Sequence, residues 1–300
     1  MTEAATAKPF VNRYVKLSLK IAVTLACFWY ISKKIDLHAA GQAFTEAKWT
    51  WVIVAVLLLT LSKIFAAIRL NIYFRNINLV LSQGQNFRLY WLGMFYNLFL
   101  PGSISGDAYK VILLKRRMAA PYRKTSAAVL LDRLSGVIAL GLIMACYSFA
   151  VSVPGALRIT IVAGAIIVVP VFYWATGRYL RDFLPGFWQA FGWGIAVQGT
   201  QVVCVYALLA ALHIPLNAVQ WPFIFLVAAV VAVFPVSLGG GLGTRELIFV
   251  EGAKFYHLDP EKGLVISLLF YLVTVIASVW GAYYIFRDPL GPRENRGTKA

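Results

Sequence analysis

Six charged residues lie in or beside strongly apolar stretches, where a membrane-type sequence normally excludes charge. They form three groups along the chain: Asp107 with Lys110, Asp132 with Arg133, and Arg245 with Glu246. A charge at membrane depth is costly, and it is usually retained for a function or paired with an opposite charge. The carboxylates could act as acids or bases, whereas the cations could hold an anionic group such as a phosphate.

Two of the three groups directly follow a Pro/Gly break in an apolar run. The first break, 97–107, reads NLFLPGSISGD, and the second, 234–246, reads FPVSLGGGLGTRE. A continuous spanning helix cannot be built through either segment, and irregular backbone at membrane depth persists only where it is buried in protein or lines a cavity. A matched pair of such breaks is typical of the binding site of a transporter.

The helix that restarts after each break carries a cation near its beginning, Lys110 in the first and Arg245 in the second. A carboxylate such as Asp107 or Glu246 would complement the helix dipole there. A cation is unfavourable at this position unless it and the helix N-terminus bind the same anion. Free N–H groups on Gly-rich loops at helix starts also form anion sites. We therefore expect two helix N-termini, with Lys110, Arg133 and Arg245, to bind the anionic group of a lipid.

The expected lipid and anion site combines loop glycines and serines, one asparagine and the six charged side chains. Its members are Asn97, Gly102, Ser103, Gly106, Asp107, Lys110, Asp132, Arg133, Ser237, Gly239, Gly240, Gly241, Arg245 and Glu246.

Simpler explanations of individual charges remain open. Asp132 and Arg133 could pair with neighbouring charges, or Arg133 could extend to the cytoplasmic interface, and the sequence does not decide between these and a function. For Lys63 an extension to the interface is favoured, and for Arg69 anchoring at the interface is a sufficient explanation. The glycine runs also permit tight turns with nothing bound.

The composition predicts a polytopic membrane protein. Of the 300 residues, 60% are hydrophobic and only 13% are charged, which is about half the charged fraction of a soluble domain. Residues 183–244 contain no Asp, Glu, Lys or Arg. Because no polar block is long enough to fold separately, we expect one membrane domain over residues 1–300 and an all-α fold.

Six apolar segments are long enough to span a membrane, at about 14–32, 50–68, 125–151, 158–175, 187–212 and 263–286. Two further apolar runs, at about 87–100 and 219–234, each meet a break and are followed by a short helix, at about 107–118 and 243–257. We interpret these as two helical hairpins that enter the membrane and return to the same side. Ordinary spans and surface helix–turn–helix connectors are the less favoured alternatives.

The basic residues predict the orientation of the chain. With both termini placed in the cytoplasm, the segments outside the spans that face the cytoplasm contain 19 Lys and Arg residues, and those that face the opposite side contain 7. Lys63 and Arg133 remain within spans. The two hairpins then enter from opposite sides, so that units at about 50–151 and 187–286 form an inverted repeat, followed by a cytoplasmic tail at 287–300. A shared P-x-S-x-x-G pattern begins at Pro101 and at Pro235. We expect a bacterial-type plasma (inner) membrane.

Several other functions find no support in the sequence. The net charge is +16, but the basic residues lie beside apolar spans and no nucleic-acid-binding motif is present, so we expect no nucleic-acid partner. Three cysteines form no CxxC pattern and three histidines have no metal-ligand spacing, so we expect no metal and no cofactor. Without a nucleotide loop or an activated nucleophile, we expect a protein that is not an enzyme.

The residues around the breaks resemble the flippase-like family that includes the transmembrane region of lysylphosphatidylglycerol synthases. The family has an N-x-x-L-P-G-x-x-G-G-D-x-x-R pattern, an acidic–Arg pair and a P-x-x-x-G-G-x-G-x-R-E pattern. The first is matched by Asn97, Leu100, Pro101, Gly102, Gly106, Asp107 and Lys110, with Ser105 in place of a glycine and Lys110 in place of the arginine. The second is Asp132-Arg133, and the third is Pro235, Gly239, Gly240, Gly241, Gly243, Arg245 and Glu246.

This resemblance covers the chain from roughly the second span to the last, and it implies a role in lipid translocation. Lysylphosphatidylglycerol synthases carry a soluble aminoacyl-transferase domain after the membrane part, whereas this chain stops at Ala300 and so resembles the stand-alone members. We expect a flippase or transporter that moves an anionic lipid, a phospholipid or a polyprenyl phosphate, between leaflets. The alternatives are a membrane enzyme, or an accessory subunit that positions a separate lipid-modifying enzyme.

Overall fold

The computed structural model describes residues 37–99, 104–233 and 241–291, together with the isolated positions 18, 25 and 29. Regular structure in this part of the chain is helical throughout. The α-helices are, in chain order, α1 (Leu37–Thr45), α2 (Trp49–Arg75), α3 (Gln83–Phe99), α4 (Ser105–Met118), α5 (Tyr122–Tyr147), α6 (Gly155–Tyr179), α7 (Phe187–Ala211), α8 (Gln220–Val233), α9 (Thr244–Phe255), α10 (Pro260–Val279) and α11 (Tyr283–Phe286). Short 3-10 helices precede α7, at Arg181–Gly186, and α11, at Trp280–Ala282.

Five helical segments of the described chain are long and apolar enough to cross a membrane. They are α2, α5, α6, the segment Arg181–Ala211 that ends with α7, and the segment Pro260–Phe286 that contains α10 and α11. Five of the six predicted spans coincide with these segments, and the sixth, at about 14–32, falls outside the described residues apart from the isolated positions. The predicted all-α, polytopic membrane fold is confirmed.

The four short helices around the breaks form two packed pairs, α3 with α4 and α8 with α9. They contain 17, 14, 14 and 12 residues. At a rise of about 1.5 Å per residue, each is shorter than the roughly 30 Å hydrocarbon core of a bilayer. The segments that connect each pair, 100–103 and 234–240, lie outside the described residues.

Helix α2 is longer than the sequence indicates. The predicted span ended at 68, but the helix continues to Arg75 because its last two turns are covered by protein, with Leu70, Tyr73 and Phe74 almost fully buried. Hydropathy alone marks this end as an interface, since Arg69, Asn71 and Arg75 interrupt the apolar run.

Two large hydrophobic clusters form most of the described interior, and a third, small one contains Val151, Val153 and Phe223. The first joins the beginning of α2, around Ala55, to the end of α7 and to α8, α9 and α10. The second joins the end of α2, around Phe74, to Leu89 of α3, Leu114 of α4 and Leu131 of α5. On α2 the residues between Leu59 and Leu70 belong to neither cluster. Lys63 and Arg69 lie in this stretch of α2, and we call this level of the fold the polar layer.

Candidate functional site

A cavity of about 200 Å³ lies in the polar layer, among α2, α3, α4 and α5. Its charged lining residues are Lys63, Arg69, Asp107, Lys110, Asp132 and Arg133, and Tyr90, Met94 and Asn97 complete the wall. We call it the charged cavity. Four cations face two carboxylates, so the lining has a formal excess of two positive charges.

Arg69 and Asp132 form a buried ion pair between α2 and α5. Arg69 Nε donates to Asp132 Oδ1 at 2.7 Å, and the two side chains are only 5% and 9% exposed. The interpretation of Arg69 as an interfacial anchor is therefore wrong, because the helix continues past it and packed protein surrounds it. Arg69 Nη1 is also buried and has no hydrogen-bond partner among the described residues.

Two glycines make room for this guanidinium. A Cβ atom on Gly136 of α5 would lie 3.2 Å from Arg69 Nη1, and one on Gly194 of α7 would lie 3.4 Å from the same nitrogen. Gln198 of α7 donates to the Gly136 carbonyl oxygen at 3.0 Å and fixes the two helices beside the pair. Gly194 of α7 therefore leaves the space that a cavity cation occupies.

Asp107 connects the restarted helix α4 to the span that follows it. One carboxylate oxygen accepts from Lys110 Nζ at 3.0 Å, and the other accepts from Arg133 Nε on α5. The Lys110 ammonium also lies 4.4 Å from the centre of the Tyr90 ring. The unfavourable cation near the start of α4 is therefore balanced by a carboxylate of the same helix.

Asn97 links the end of α3 to the beginning of α4. Its Oδ1 accepts a hydrogen bond from the Gly106 backbone N–H at 2.9 Å. A Cβ atom on Gly106 would collide with the backbone of Gly93, and one on Gly93 would collide with the Lys110 side chain. The predicted site residue Gly106 thus permits close approach of the two helices, which brings Lys110 against Tyr90.

The third charged group, Arg245 with Glu246, forms a second, compact network of its own. Glu246 is fully buried, and it accepts from the Gly243 N–H at 2.6 Å and from Ser267 Oγ at 2.9 Å. Arg245 donates to Ser267 Oγ at 3.1 Å and lies over the Phe270 ring at 5.2 Å. In the described part of the chain, no member of this network lines the charged cavity.

The glycines before α9 are required by the backbone. Gly241 and Gly243 have φ angles of +84° and +90°, which side-chain-bearing residues adopt only with strain. The predicted site residue Gly241 therefore shapes the entry to α9, where the Gly243 N–H meets Glu246.

Sequence reasoning missed four residues of the cavity wall: Lys63, Arg69, Tyr90 and Met94. Lys63 is half-buried, lines the cavity and forms no ion pair with any described residue. The signal that could have found Arg69 is the buried carboxylate of Asp132, which needs a cation from a neighbouring span.

The structure brings together five of the predicted site residues: Asn97, Asp107, Lys110, Asp132 and Arg133. Gly106 lies behind them at the crossing of α3 and α4, while Gly241, Arg245 and Glu246 belong to the second network. Gly102, Ser103, Ser237, Gly239 and Gly240 fall outside the described residues. Within the described ranges no group of three His, Cys, Asp or Glu residues is arranged to hold a metal ion.

These features define a multi-pass, all-helical membrane protein with a charged cavity among its helices. The sequence profile described as the lysylphosphatidylglycerol synthase TM region matches residues 17–281, and the chain belongs to this family. It is also similar to the UPF0104 membrane protein PH1989 of Pyrococcus horikoshii, with 24% identity over 130 residues. That match covers 43% of this chain and 38% of the relative.

Proposed function

We propose that this membrane protein binds the anionic group of a lipid in the charged cavity and moves the lipid between leaflets. The observation that carries the proposal is the excess of two positive charges around a cavity that lies among four helices. Uncompensated charge is costly in a low-dielectric interior, and a phosphate group would balance it. Lys63, which forms no ion pair with any described residue, supplies capacity for such a ligand.

The size of the cavity supports a headgroup rather than a whole lipid as its occupant. Pockets that enclose small molecules typically have volumes of about 300–1,000 Å³. The charged cavity, at about 200 Å³, has room for a phosphate and its immediate substituents. The hydrocarbon part of the ligand would remain outside it.

We further propose that α3–α4 and α8–α9 are re-entrant hairpins. In support, each helix is too short to span, each pair is packed together, and the Asn97–Gly106 hydrogen bond links the two helices of the first pair. Irregular backbone between such helices is tolerated where protein surrounds it. Hairpins of this kind bring polar groups to the middle of the membrane, where a headgroup must pass.

The contacts of the two hairpins favour an inverted repeat. When 130–139 is aligned with 268–277, Arg133 corresponds to Tyr271. Arg133 contacts Asp107 of α4, and the guanidinium of Arg245 in α9 lies 5.8 Å from the centre of the Tyr271 ring. In both hairpins the second helix thus contacts the same position of the span that follows it. This correspondence is expected of two copies of one unit.

The basic-residue distribution supports a bacterial-type inner membrane with both termini in the cytoplasm. The proposed partners are membrane lipids, and the proposed activity leaves the lipid chemically unchanged. A C-terminal reporter that is active only in the cytoplasm tests the orientation. Activity of a periplasm-specific reporter at the same position would contradict it.

The activity is tested by reconstituting the full chain in liposomes and measuring transfer of a fluorescent anionic lipid between leaflets. We expect transfer with the wild type, a several-fold lower rate with Lys63→Gln, and an unchanged rate with Lys262→Gln. Lys262 is the matched control because it is an exposed cation paired only loosely with Asp259, at 3.9 Å. Equal rates in all three proteins, or transfer no faster than in empty liposomes, would contradict the proposal.

The same reaction mixture separates transport from catalysis. Asp107 and Asp132 line the cavity, and an enzyme of lipid assembly would use them as acid or base. Both are engaged in ion pairs with cavity cations, which favours binding over proton transfer. Mass spectrometry of the recovered lipid should find its mass unchanged, and a covalently altered product would instead favour the enzyme.

A further inference from the structure

A second, larger cavity of about 520 Å³ runs between α2, α3 and the end of the last span. Its wall is mostly apolar and aromatic, and includes Val56, Phe87, Trp91, Trp280 and Tyr283. Trp280 and Tyr283 are exposed, so that the cavity opens along the side of the helical bundle. We call it the chain groove.

The floor of the chain groove is held in place by one hydrogen bond. Trp91 Nε1 on α3 donates to the Ala277 carbonyl oxygen on α10 at 3.0 Å, and a Cβ on Gly281 would collide with the Trp91 backbone. The indole ring is thereby fixed against the last span with its ring forming part of the groove wall. The groove is consequently part of the packed fold.

The groove and the charged cavity are neighbours along the same two helices. On α2, Thr60 of the groove lies one helical turn before Lys63 of the cavity; on α3, Trp91 of the groove lies one turn before Met94 of the cavity. Residues three apart on a helix share a face, and one turn rises only about 5 Å. The distance between the two sites along these helices is therefore short compared with the length of a lipid.

We propose that the chain groove binds the hydrocarbon chain of the same lipid whose anionic group occupies the charged cavity. This inference rests on the proposed function. The two sites differ in the way that the two ends of an anionic amphiphile differ: one is small and cationic, the other larger and mostly apolar. In a bilayer a chain gains little hydrophobic free energy by leaving the lipid, so the groove contributes shape and position and the charged cavity contributes the charge contacts.

Photocrosslinking in nanodiscs tests this assignment. The probes are phosphatidic acid with a diazirine on one acyl chain and diacylglycerol with the same labelled chain, and the crosslinked residues are mapped by mass spectrometry. We expect crosslinks from phosphatidic acid to groove residues such as Trp91 and Trp280, several-fold fewer from diacylglycerol, and a several-fold loss in Lys63→Gln. Equal labelling of the groove by both probes, or none by phosphatidic acid, would overturn the proposal.

Blocking the groove provides a second measurement. Thr60→Trp places a ring in the groove, whereas Leu57→Trp, on an exposed face of the same helix, is the matched control. Inorganic pyrophosphate carries negatively charged phosphate groups but has no hydrocarbon chain. It should therefore bind both variants as it binds the wild type. Phosphatidic acid crosslinking should fall several-fold in Thr60→Trp alone, and unchanged crosslinking would overturn the groove assignment.

The soluble probe also separates the two proposals. Pyrophosphate binding to the wild type that weakens in Lys63→Gln, combined with no groove crosslinks, would overturn the groove and leave the charged cavity supported. No pyrophosphate binding to the wild type would overturn the headgroup site, and with it the groove.

Discussion

Arg69 and Asp132, 63 residues apart in sequence, meet at 2.7 Å inside the helical bundle and join α2 to α5. Their pairing sits between the two hydrophobic clusters and on the wall of the charged cavity. Because each ion would be several kcal/mol less stable if it were buried alone, the pair holds both helices in one register. The geometry of the cavity therefore depends on a contact that neither helix specifies by itself.

Removing one member of this pair should destabilise the protein strongly. We expect Arg69→Met or Asp132→Leu alone to lower the free energy of unfolding by about 3–5 kcal/mol, since each leaves a buried charge unpaired. The double variant should lose less than the sum of the two. Denaturant titration in detergent measures all three.

The matched control for that series is the exposed pair of Lys124 and Asp182, whose nitrogen and oxygen are 2.7 Å apart. Both side chains are about half exposed, so neutralising either one should change stability by no more than about 1 kcal/mol. Additive effects of Arg69→Met and Asp132→Leu would show that the two residues do not depend on each other.

A methyl group beside the Arg69 guanidinium should distort the cavity. In Gly194→Ala the new Cβ lies 3.2 Å from the Ser135 carbonyl oxygen and 3.4 Å from Arg69 Nη1. We therefore expect overpacking to lower the free energy of unfolding by about 1–3 kcal/mol and to weaken the binding of an anionic lipid. Gly192→Ala, two residues earlier on the same helix, meets no atom within 4 Å and should be neutral or slightly stabilising. Thermal unfolding and lipid-binding titrations compare the two, and equal behaviour would remove the steric argument.

The crossing of α3 and α4 should tolerate no side chain at Gly106. A Cβ there collides with the Gly93 backbone, which cannot move as a flexible side chain does, so Gly106→Ala should abolish transport and lower the yield of folded protein. Gly84→Ala is the control on α3, since its Cβ has only the far end of Arg88 nearby, at 3.9 Å. Gel filtration and the liposome assay measure both, and an active Gly106→Ala protein would contradict the described helix crossing.

The network at the start of α9 should support the fold without binding the ligand. Ser267→Ala removes one donor to the fully buried Glu246 and one acceptor from Arg245. We expect a loss of about 1–3 kcal/mol in stability, because buried polar groups are left unsatisfied, with the affinity for anionic lipid unchanged. A loss of affinity in the protein that remains folded would assign this network to the binding site instead.

The charge of the cavity predicts a preference among lipids. An excess of two positive charges matches a phosphomonoester, which loses its second proton at about pH 6, better than a phosphodiester with a single charge. The affinity for phosphatidic acid should therefore rise as the pH increases from about 5 to about 7.5, while that for phosphatidylglycerol should change little. Equal affinities at the higher pH would contradict the charge matching.

The sequence predicts the spans and the short helices because hydropathy and Pro/Gly breaks are local properties. The described helices Ser105–Met118 and Thr244–Phe255 lie close to the positions expected after the two breaks. The sequence predicts that the second span ends at 68, whereas α2 continues to Arg75. Hydropathy places this end too early because other helices bury Arg69 and Asn71, and such burial is not a property of the segment itself.

The partners of the charged residues could not be predicted from sequence for the same reason. Asp132 and Arg133 are adjacent, yet Asp132 pairs with Arg69 of α2 and Arg133 with Asp107 of α4. Lys110 and Arg245 occupy similar positions after the two breaks, and the sequence therefore suggests one shared role. The structure places Lys110 at the charged cavity, where it donates to Asp107 of its own helix, whereas Arg245 donates to Ser267 of the following span.

The most direct test of the account is mass spectrometry of the lipids that remain bound to the purified protein. We predict that the wild type and Lys262→Gln retain an anionic lipid enriched over its content in the surrounding membrane, and that Lys63→Gln does not. The same lipid mixture in all three proteins, in the proportions of the membrane itself, would contradict the assignment of the charged cavity.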